Sequence, residues 1–250
     1  MSFEIIDSLE AKFSKPLLTL QKFRYNGFGY VITDDKVVGL SLADAAISEL
    51  PENVFHITSL KYLSLYNNNL SDLPKQISQL KNLEILYLAY NKLQSLPKEI
   101  EELEKLQILF LQDNQLATLP SEICNLKKLR ELRLYNNQLV ELPENIGNLS
   151  DLETLWINKN RLSKLPKSFS NLTNLKTLYA NNNEITTFPD LNNLKKLALL
   201  HLSSNNVVEI DNIQFTESQL QNLDVRRNPL SRKTRDYLEK HSRSNLTIRF

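Results

Sequence analysis

The amino-acid sequence predicts an α/β solenoid: a horseshoe of stacked coils with a concave parallel β-sheet of about nine strands and convex short helical or 3-10 returns. Three observations predict it. A pattern of leucines recurs every 22 or 23 residues, and an asparagine recurs at one fixed place within it. Each copy also changes from alternate spacing of apolar residues to three-residue spacing halfway along.

The pattern L-x-x-L-x-L-x-x-N-x-L-x-x-L-P-x-x-I-x-x-L-x-x begins at Leu60 and returns at Leu83, Leu106, Leu129, Leu152, Leu175, Leu197 and Leu220, with an imperfect first copy at Val37. In Leu86-Tyr87-Leu88 and its equivalents, leucines alternate with variable residues, the period of a strand with one buried face. The asparagine that follows forms a ladder: Asn68, Asn91, Asn114, Asn137, Asn160, Asn183, Asn205 and Asn228. Inside an apolar stack such a residue is costly unless bonded. Its amide both donates and accepts, so it is expected to tie its turn to backbone groups of the next coil. In the second half, as in Leu96-Pro97 to Leu103, Ile and Leu stand three apart behind a proline. Proline suits the first position of a helical turn, where its missing N–H is not needed. Strands pack closer together than helices, so the stack must bend with its sheet inside.

Both ends depart from the repeat, which divides the chain into an N-terminal cap (1–36), repeats (37–230) and a C-terminal cap (231–250). Phe3, Ile6, Leu9 and Phe13 make one apolar helical stripe. Phe23–Thr33 reads as strand and turn, with a hairpin at Asp34-Asp35 leading to Val37. In the first copy Ala45 stands where the ladder asparagine would be. Ser231 reads as the N-cap of a helix with Thr234, Tyr237, Leu238 and His241 on one face, and Leu246, Ile248 and Phe250 alternate as a last strand.

These residues resemble the leucine-rich-repeat superfamily from Val37 to Leu230. The 23-residue L-P-x-x-I-x-x-L form is similar to intracellular repeats of the Ras-suppressor and plant Ras-group type, and to many bacterial and archaeal repeat proteins. The resemblance implies the horseshoe fold and, as one reading of function, a regulatory partner of a small GTPase.

Chemistry is sparse. His56, His201 and His241 stand in different coils or caps without metal-ligand spacing, and Cys124 sits in a helical return with no base near it. Gly27-Phe28-Gly29 lacks the third glycine of the dinucleotide fingerprint, and no phosphate-loop motif occurs. We therefore expect no catalytic residue, metal or cofactor. Net charge is +1, so no whole-molecule field favours nucleic acid or an anionic membrane. From Arg226 to Phe250 eight basic residues stand against two acidic ones, which reads as a solvated cap with i,i+4 charge pairs. A single cysteine, no secretory leader pattern and no run of roughly 20 apolar residues point to a cytoplasmic protein.

The informative residues face outward from the strands. Between the two inward leucines the column reads Ser64, Tyr87, Phe110, Arg133, Trp156, Tyr179, His201 and Asp224. The next outward column adds Tyr66 and Tyr135, with Tyr90 one place further. Strands lie ~4.8 Å apart, so residues of one column touch. Laddered aromatics can serve the sheet alone. A patch of this size on open water, rich in Tyr and Trp with Arg among them, is instead the composition of a binding surface. Tyr66, Tyr87, Tyr90, Phe110, Arg133, Tyr135, Trp156, Tyr179 and His201 are the candidate partner-binding residues. An exposed Trp156 is expected to cost under ~1 kcal/mol of stability when cut to Ala. The sequence thus favours a non-enzymatic adaptor or scaffold that binds protein or peptide. A glycan or small ligand is the rival, because Asn136, Asn158, Asn181 and Asn182 edge the aromatics; a shallow open groove suits an extended macromolecule better.

Overall fold

The computed structural model describes residues 2–13, 16–210, 219–241 and 246–250. Among the described residues twelve strands form one sheet in chain order. They are β1 (Leu18–Thr19), β2 (Phe28–Thr33), β3 (Lys36–Leu42), β4 (Tyr62–Ser64), β5 (Ile85–Tyr87), β6 (Ile108–Phe110), β7 (Glu131–Arg133), β8 (Thr154–Trp156), β9 (Thr177–Tyr179), β10 (Leu199–His201), β11 (Asn222–Asp224) and β12 (Thr247–Arg249). Nine of them, β3 to β11, are the strands of the repeat. The two caps add β1, β2 and β12, so the sheet is longer than the repeat. Neighbours pair parallel throughout except β2 with β3, which form the hairpin. Its turn residues Asp34 and Asp35 both take positive φ, 50° and 57°, which suits the twist of a two-residue hairpin turn and which aspartate tolerates.

Register is set by the leucines. Leu63, Leu86, Leu109, Leu132, Leu155, Leu178, Leu200 and Leu223 stand opposite one another in successive strands and are all buried. A one-residue slip would turn every one of them to solvent, so the pattern admits a single register.

Where the chain returns, six coils among the described residues carry 3-10 helices: Glu52–His56, Lys75–Gln79, Lys98–Glu102, Ser121–Asn125, Ile146–Asn148 and Lys167–Asn171. In five of them the proline sits one residue earlier than a first helical position. Pro51, Pro74, Pro97, Pro120 and Pro166 are N-caps with φ between −58° and −71°, and their carbonyls accept the N–H three residues on. A proline N–H would have no partner there, so nothing is lost by its absence. The apolar residues three apart point one way because three residues make a turn of this helix; Ile77, Ile100, Ile123 and Phe169 are buried by it.

The caps close both ends. Helix α1 (Ser2–Glu10) buries Ile6 and Leu9, and Phe13 meets Phe28 edge-on at 5.3 Å. The stripe's Phe3 side chain lies outside the described residues. Helix α2 (Arg232–His241) buries Thr234 and Leu238, and the Thr234 N–H donates to Ser231 Oγ at 3.1 Å, so Ser231 is its N-cap. Of the last strand's alternating residues, Leu246 is buried, Ile248 half-buried and Phe250 exposed.

The asparagine ladder runs from Asn68 to Asn228 with one bonding scheme. Asn137 Nδ2 donates to Leu134 O at 3.0 Å within its own turn and to Leu111 O at 2.9 Å, and Oδ1 accepts from Leu116 N–H at 3.0 Å. The bonds reach back to the preceding coil rather than to the next. That direction explains Ala45. The strand before the first repeat is β2, an antiparallel partner, so an asparagine at 45 would have no preceding coil to bond; the first coil is served instead by Asn68, whose Oδ1 accepts from the N–H of Ala45 and of Ile47.

Asn137→Ala leaves Leu111 O and Leu116 N–H short of a buried partner, and it is expected to destabilise the fold by ~1–3 kcal/mol, whereas Ala45→Asn gains nothing comparable. Chemical denaturation of both variants checks this; an unshifted midpoint for Asn137→Ala contradicts it.

Candidate functional site

Parallel register brings the outward residues into columns. Tyr87 stands beside Phe110, Phe110 beside Arg133, Arg133 beside Trp156, Trp156 beside Tyr179 and Tyr179 beside His201. The rings touch. Tyr87 meets Phe110 edge-on at 4.8 Å, Trp156 stacks on Tyr179 at 3.9 Å and 22°, and Tyr179 meets His201 edge-on at 4.8 Å. Arg133 fills the gap between the two aromatic groups. Its Cζ lies 4.0 Å from the centre of the Phe110 ring and 5.4 Å from that of Trp156, while its Nη2 holds Glu131 Oε1 at 2.7 Å. The column is therefore one continuous stack from β5 to β10. At the far end Asp224 is buried and closed off by Arg226, whose Nη2 lies 2.7 Å from Asp224 Oδ2. Burial pushes the Asp224 carboxyl up, but the hydrogen bonds from the Arg226 side chain and backbone outweigh it and hold the group below its ordinary range. Burial lowers the His201 imidazole, which favours its neutral form on the groove floor.

Tyr66, Tyr90 and Tyr135 flank this column. Tyr66 meets Tyr90 at 5.2 Å, and Tyr135 lies 6.0 Å from Trp156. Two further aromatics that the repeat pattern does not contain join them. The N-terminal cap loop folds onto the sheet's open face, placing Phe23 against Tyr62 (5.4 Å) and Tyr87 (6.1 Å), and Tyr25 against Tyr66 (5.4 Å) and Tyr87 (5.3 Å). Ser64 Oγ donates to Tyr25 O and Ser41 Oγ to Gly27 O, so the loop's backbone is anchored on the floor. Both serines are fully buried. Gly39 belongs to the same device, since a Cβ there would stand 3.0 Å from a Phe23 ring carbon. The signal available in the sequence was two small serines and a glycine at the head of columns that elsewhere carry large side chains. Between loop and sheet a hollow of ≈ 430 Å³ opens, with Tyr25, Tyr66, Tyr90, Phe110, Arg133 and Tyr135 among its walls.

Trp156 is not the freely exposed residue expected from its outward position. It is half-buried, and its ring is covered on one side by Tyr179. Truncation should accordingly cost about 1–2 kcal/mol rather than less than 1, because stacked pairs contribute beyond their area. Among the described residues, Gln112 Oε1, Trp156 Nε1 and Asn158 Oδ1 on this face are shut off from solvent without a hydrogen-bond partner.

Cys124 lies in the 3-10 helix Ser121–Asn125 on the opposite side, buried, with its thiol pushed up to about 11 by that burial. It stays protonated and unreactive at neutral pH. Among the described residues no group of three His, Cys, Asp or Glu could hold a metal ion, and no helix is long and apolar enough to cross a membrane.

The family model described as leucine-rich repeat region matches residues 120–244, and the one described as leucine rich repeat matches 36–93 and 81–139. No curated protein matches the chain significantly. Among solved structures, a leucine-rich-repeat protein of Leptospira interrogans is 34% identical with a TM-score of 0.69, over 85% of this chain and 60% of that one. The PEPR1–AtPEP1 complex is 28% identical with a TM-score of 0.74, over 82% of this chain and 30% of that one. The plant peptide hormone receptor RGFR1 in complex with RGF2 is 29% identical with a TM-score of 0.69, over 77% and 32%. The chain thus spans less than two thirds of the length of each. Nothing in these matches supports the Ras-suppressor subclass or the small-GTPase partner that the resemblance implied.

The residue before each ladder position, Ala45 included, is left-handed in every coil, from Asp44 to Arg227, with φ between 52° and 57°. Asn and Asp tolerate this; Tyr90 (φ 57°) carries a strain of about 1 kcal/mol. Tyr90→Asn is therefore expected to raise stability by ~0.5–1 kcal/mol, read as the thermal midpoint. A fall instead would show that the Tyr66 contact outweighs the strain.

Proposed function

The chain belongs to the leucine-rich-repeat superfamily, and on that premise we propose that it is a non-enzymatic module that binds protein or peptide along its concave sheet, as an adaptor or scaffold. The observation that carries this reading is the continuous stack from Tyr87 to His201 on the concave sheet, with half-buried Trp156 near its centre. The stacked rings offer apolar contact to the side chains of an extended chain laid along the groove, and Tyr, Trp and Arg are the residue types that carry most binding energy at such surfaces. Two of the similar structures, PEPR1–AtPEP1 and RGFR1 with RGF2, are complexes, the second of a peptide hormone receptor, which supports a peptide as the occupant.

A glycan would use the same stacked rings. Of the asparagines expected to edge it, Asn136 Nδ2 is already committed to Asp113 Oδ1, which removes one sugar contact and favours the peptide. A reducing, cytoplasmic setting remains part of the proposal and rests on the lone buried thiol.

Partner capture from a lysate, followed by affinity measurement on the captured protein or a peptide cut from it, tests the reading. Trp156→Ala should weaken binding by ~2 kcal/mol, about 30-fold, and Tyr179→Ala by a comparable amount, while Lys98→Ala on the convex side changes it by less than twofold. Equal affinities for wild type and Trp156→Ala contradict it, and a partner that proves to be a glycan replaces it.

A further inference from the structure

We propose that the hollow between the cap loop and β4–β7 is a subsite for a cationic side chain, the ammonium of a lysine or the guanidinium of an arginine on the bound peptide. This rests on the peptide-binding reading and specifies one residue of its ligand.

The walls are electron-rich. Tyr25, Tyr66, Tyr90, Tyr135 and Phe110 surround ≈ 430 Å³, room for a long side chain, and Tyr25 and Tyr90 stay 46% and 43% exposed at the mouth. Aromatic faces carry negative charge density and attract cations within about 6 Å. The same wall already holds one: the Arg133 guanidinium lies on Phe110 at 4.0 Å.

Among the described residues, the charge that stands beside these rings without an ion-pair partner is negative. Asp113 stands among the tyrosines: its charge is the foremost cause raising the Tyr90 phenol, and it adds to the burial that raises Tyr66 and Tyr135. Asp113 Oδ1 accepts from Asn136, and its carboxylate raises the Tyr90 phenol through a hydrogen bond as well as through its charge. An anionic side chain in the hollow would be repelled by this charge and an apolar one would leave it unbalanced, whereas an ammonium or guanidinium over the rings is attracted by both rings and carboxylate.

Charge balance agrees. Arg133 is neutralised by Glu131 at 2.7 Å, and among the described residues no lysine or arginine pairs with Asp113. The site therefore keeps an unmatched carboxylate beside its rings. Tyr90 is held at that mouth in a strained left-handed conformation, a cost that structures retain where a side chain is used.

The test uses the full chain with its tyrosine rings isotope-labelled, titrated by NMR with three probes: N-acetyl-lysine methylamide, N-acetyl-arginine methylamide and the neutral N-acetyl-norleucine methylamide. The cationic probes should saturate shifts of the Tyr66, Tyr90 and Tyr135 rings in the millimolar range, and the norleucine probe should not. Asp113→Asn, which keeps the left-handed turn, should weaken the cationic probes at least fivefold, and Lys98→Ala should leave them unchanged. Equal response to lysine and norleucine probes, no saturable shift with either cation, or an unaffected Asp113→Asn overturns the subsite. Partner affinity in Trp156→Ala is a separate readout, so loss of the subsite and loss of the peptide reading are distinguishable.

Discussion

A coil of 22 or 23 residues cannot bury its own leucines, so it must stack; and stacking traps the backbone of a turn inside the apolar wedge between coils. The asparagine amide resolves this. Two donated hydrogen bonds and one accepted bond satisfy carbonyls of two coils and an N–H of the earlier one, as Asn91, Asn160 and Asn228 do in the same geometry as Asn137. Two of the three bonds span coils, so they cannot form until the neighbouring coil is in place. The left-handed residue before each asparagine and the parallel register of the strands follow from holding that amide in one position.

The same register produces the surface. Because every coil repeats at one phase, side chains that alternate with the leucines line up in columns, and any chemistry placed at that phase becomes a stripe. Here it is a stack running Tyr87, Phe110, Arg133, Trp156, Tyr179 and His201. Mutual stacking contributes to the fold and also fixes the rings before any ligand arrives, which lowers the ordering cost of binding. Sheet support and recognition are thus two consequences of one arrangement rather than alternatives.

Period carries the information that the sequence makes legible. The leucines, the ladder and the aromatic column could be placed because each recurs at a fixed interval. What does not recur was not legible. Phe23 and Tyr25 reach the open face through a cap loop of no repeating pattern, and only the small residues Gly39, Ser41 and Ser64 beneath them mark its path. The half-burial of Trp156 depends on a neighbour one coil away, and its outward position in the alternation could not convey it. The direction of the asparagine bonds likewise depends on coil stacking, and Ala45 was the one residue that registered it.

Trp156 is the sole tryptophan, so the protein has one indole N–H resonance, and that N–H is buried without a partner in the free chain. Its proton shift and exchange rate, followed as a partner is added, test the concave aromatic stack as the binding surface most directly. The resonance is expected to shift and to exchange more slowly in step with occupancy as the partner covers the stack. A resonance that neither moves nor slows while the partner is fully bound would place binding elsewhere on the molecule.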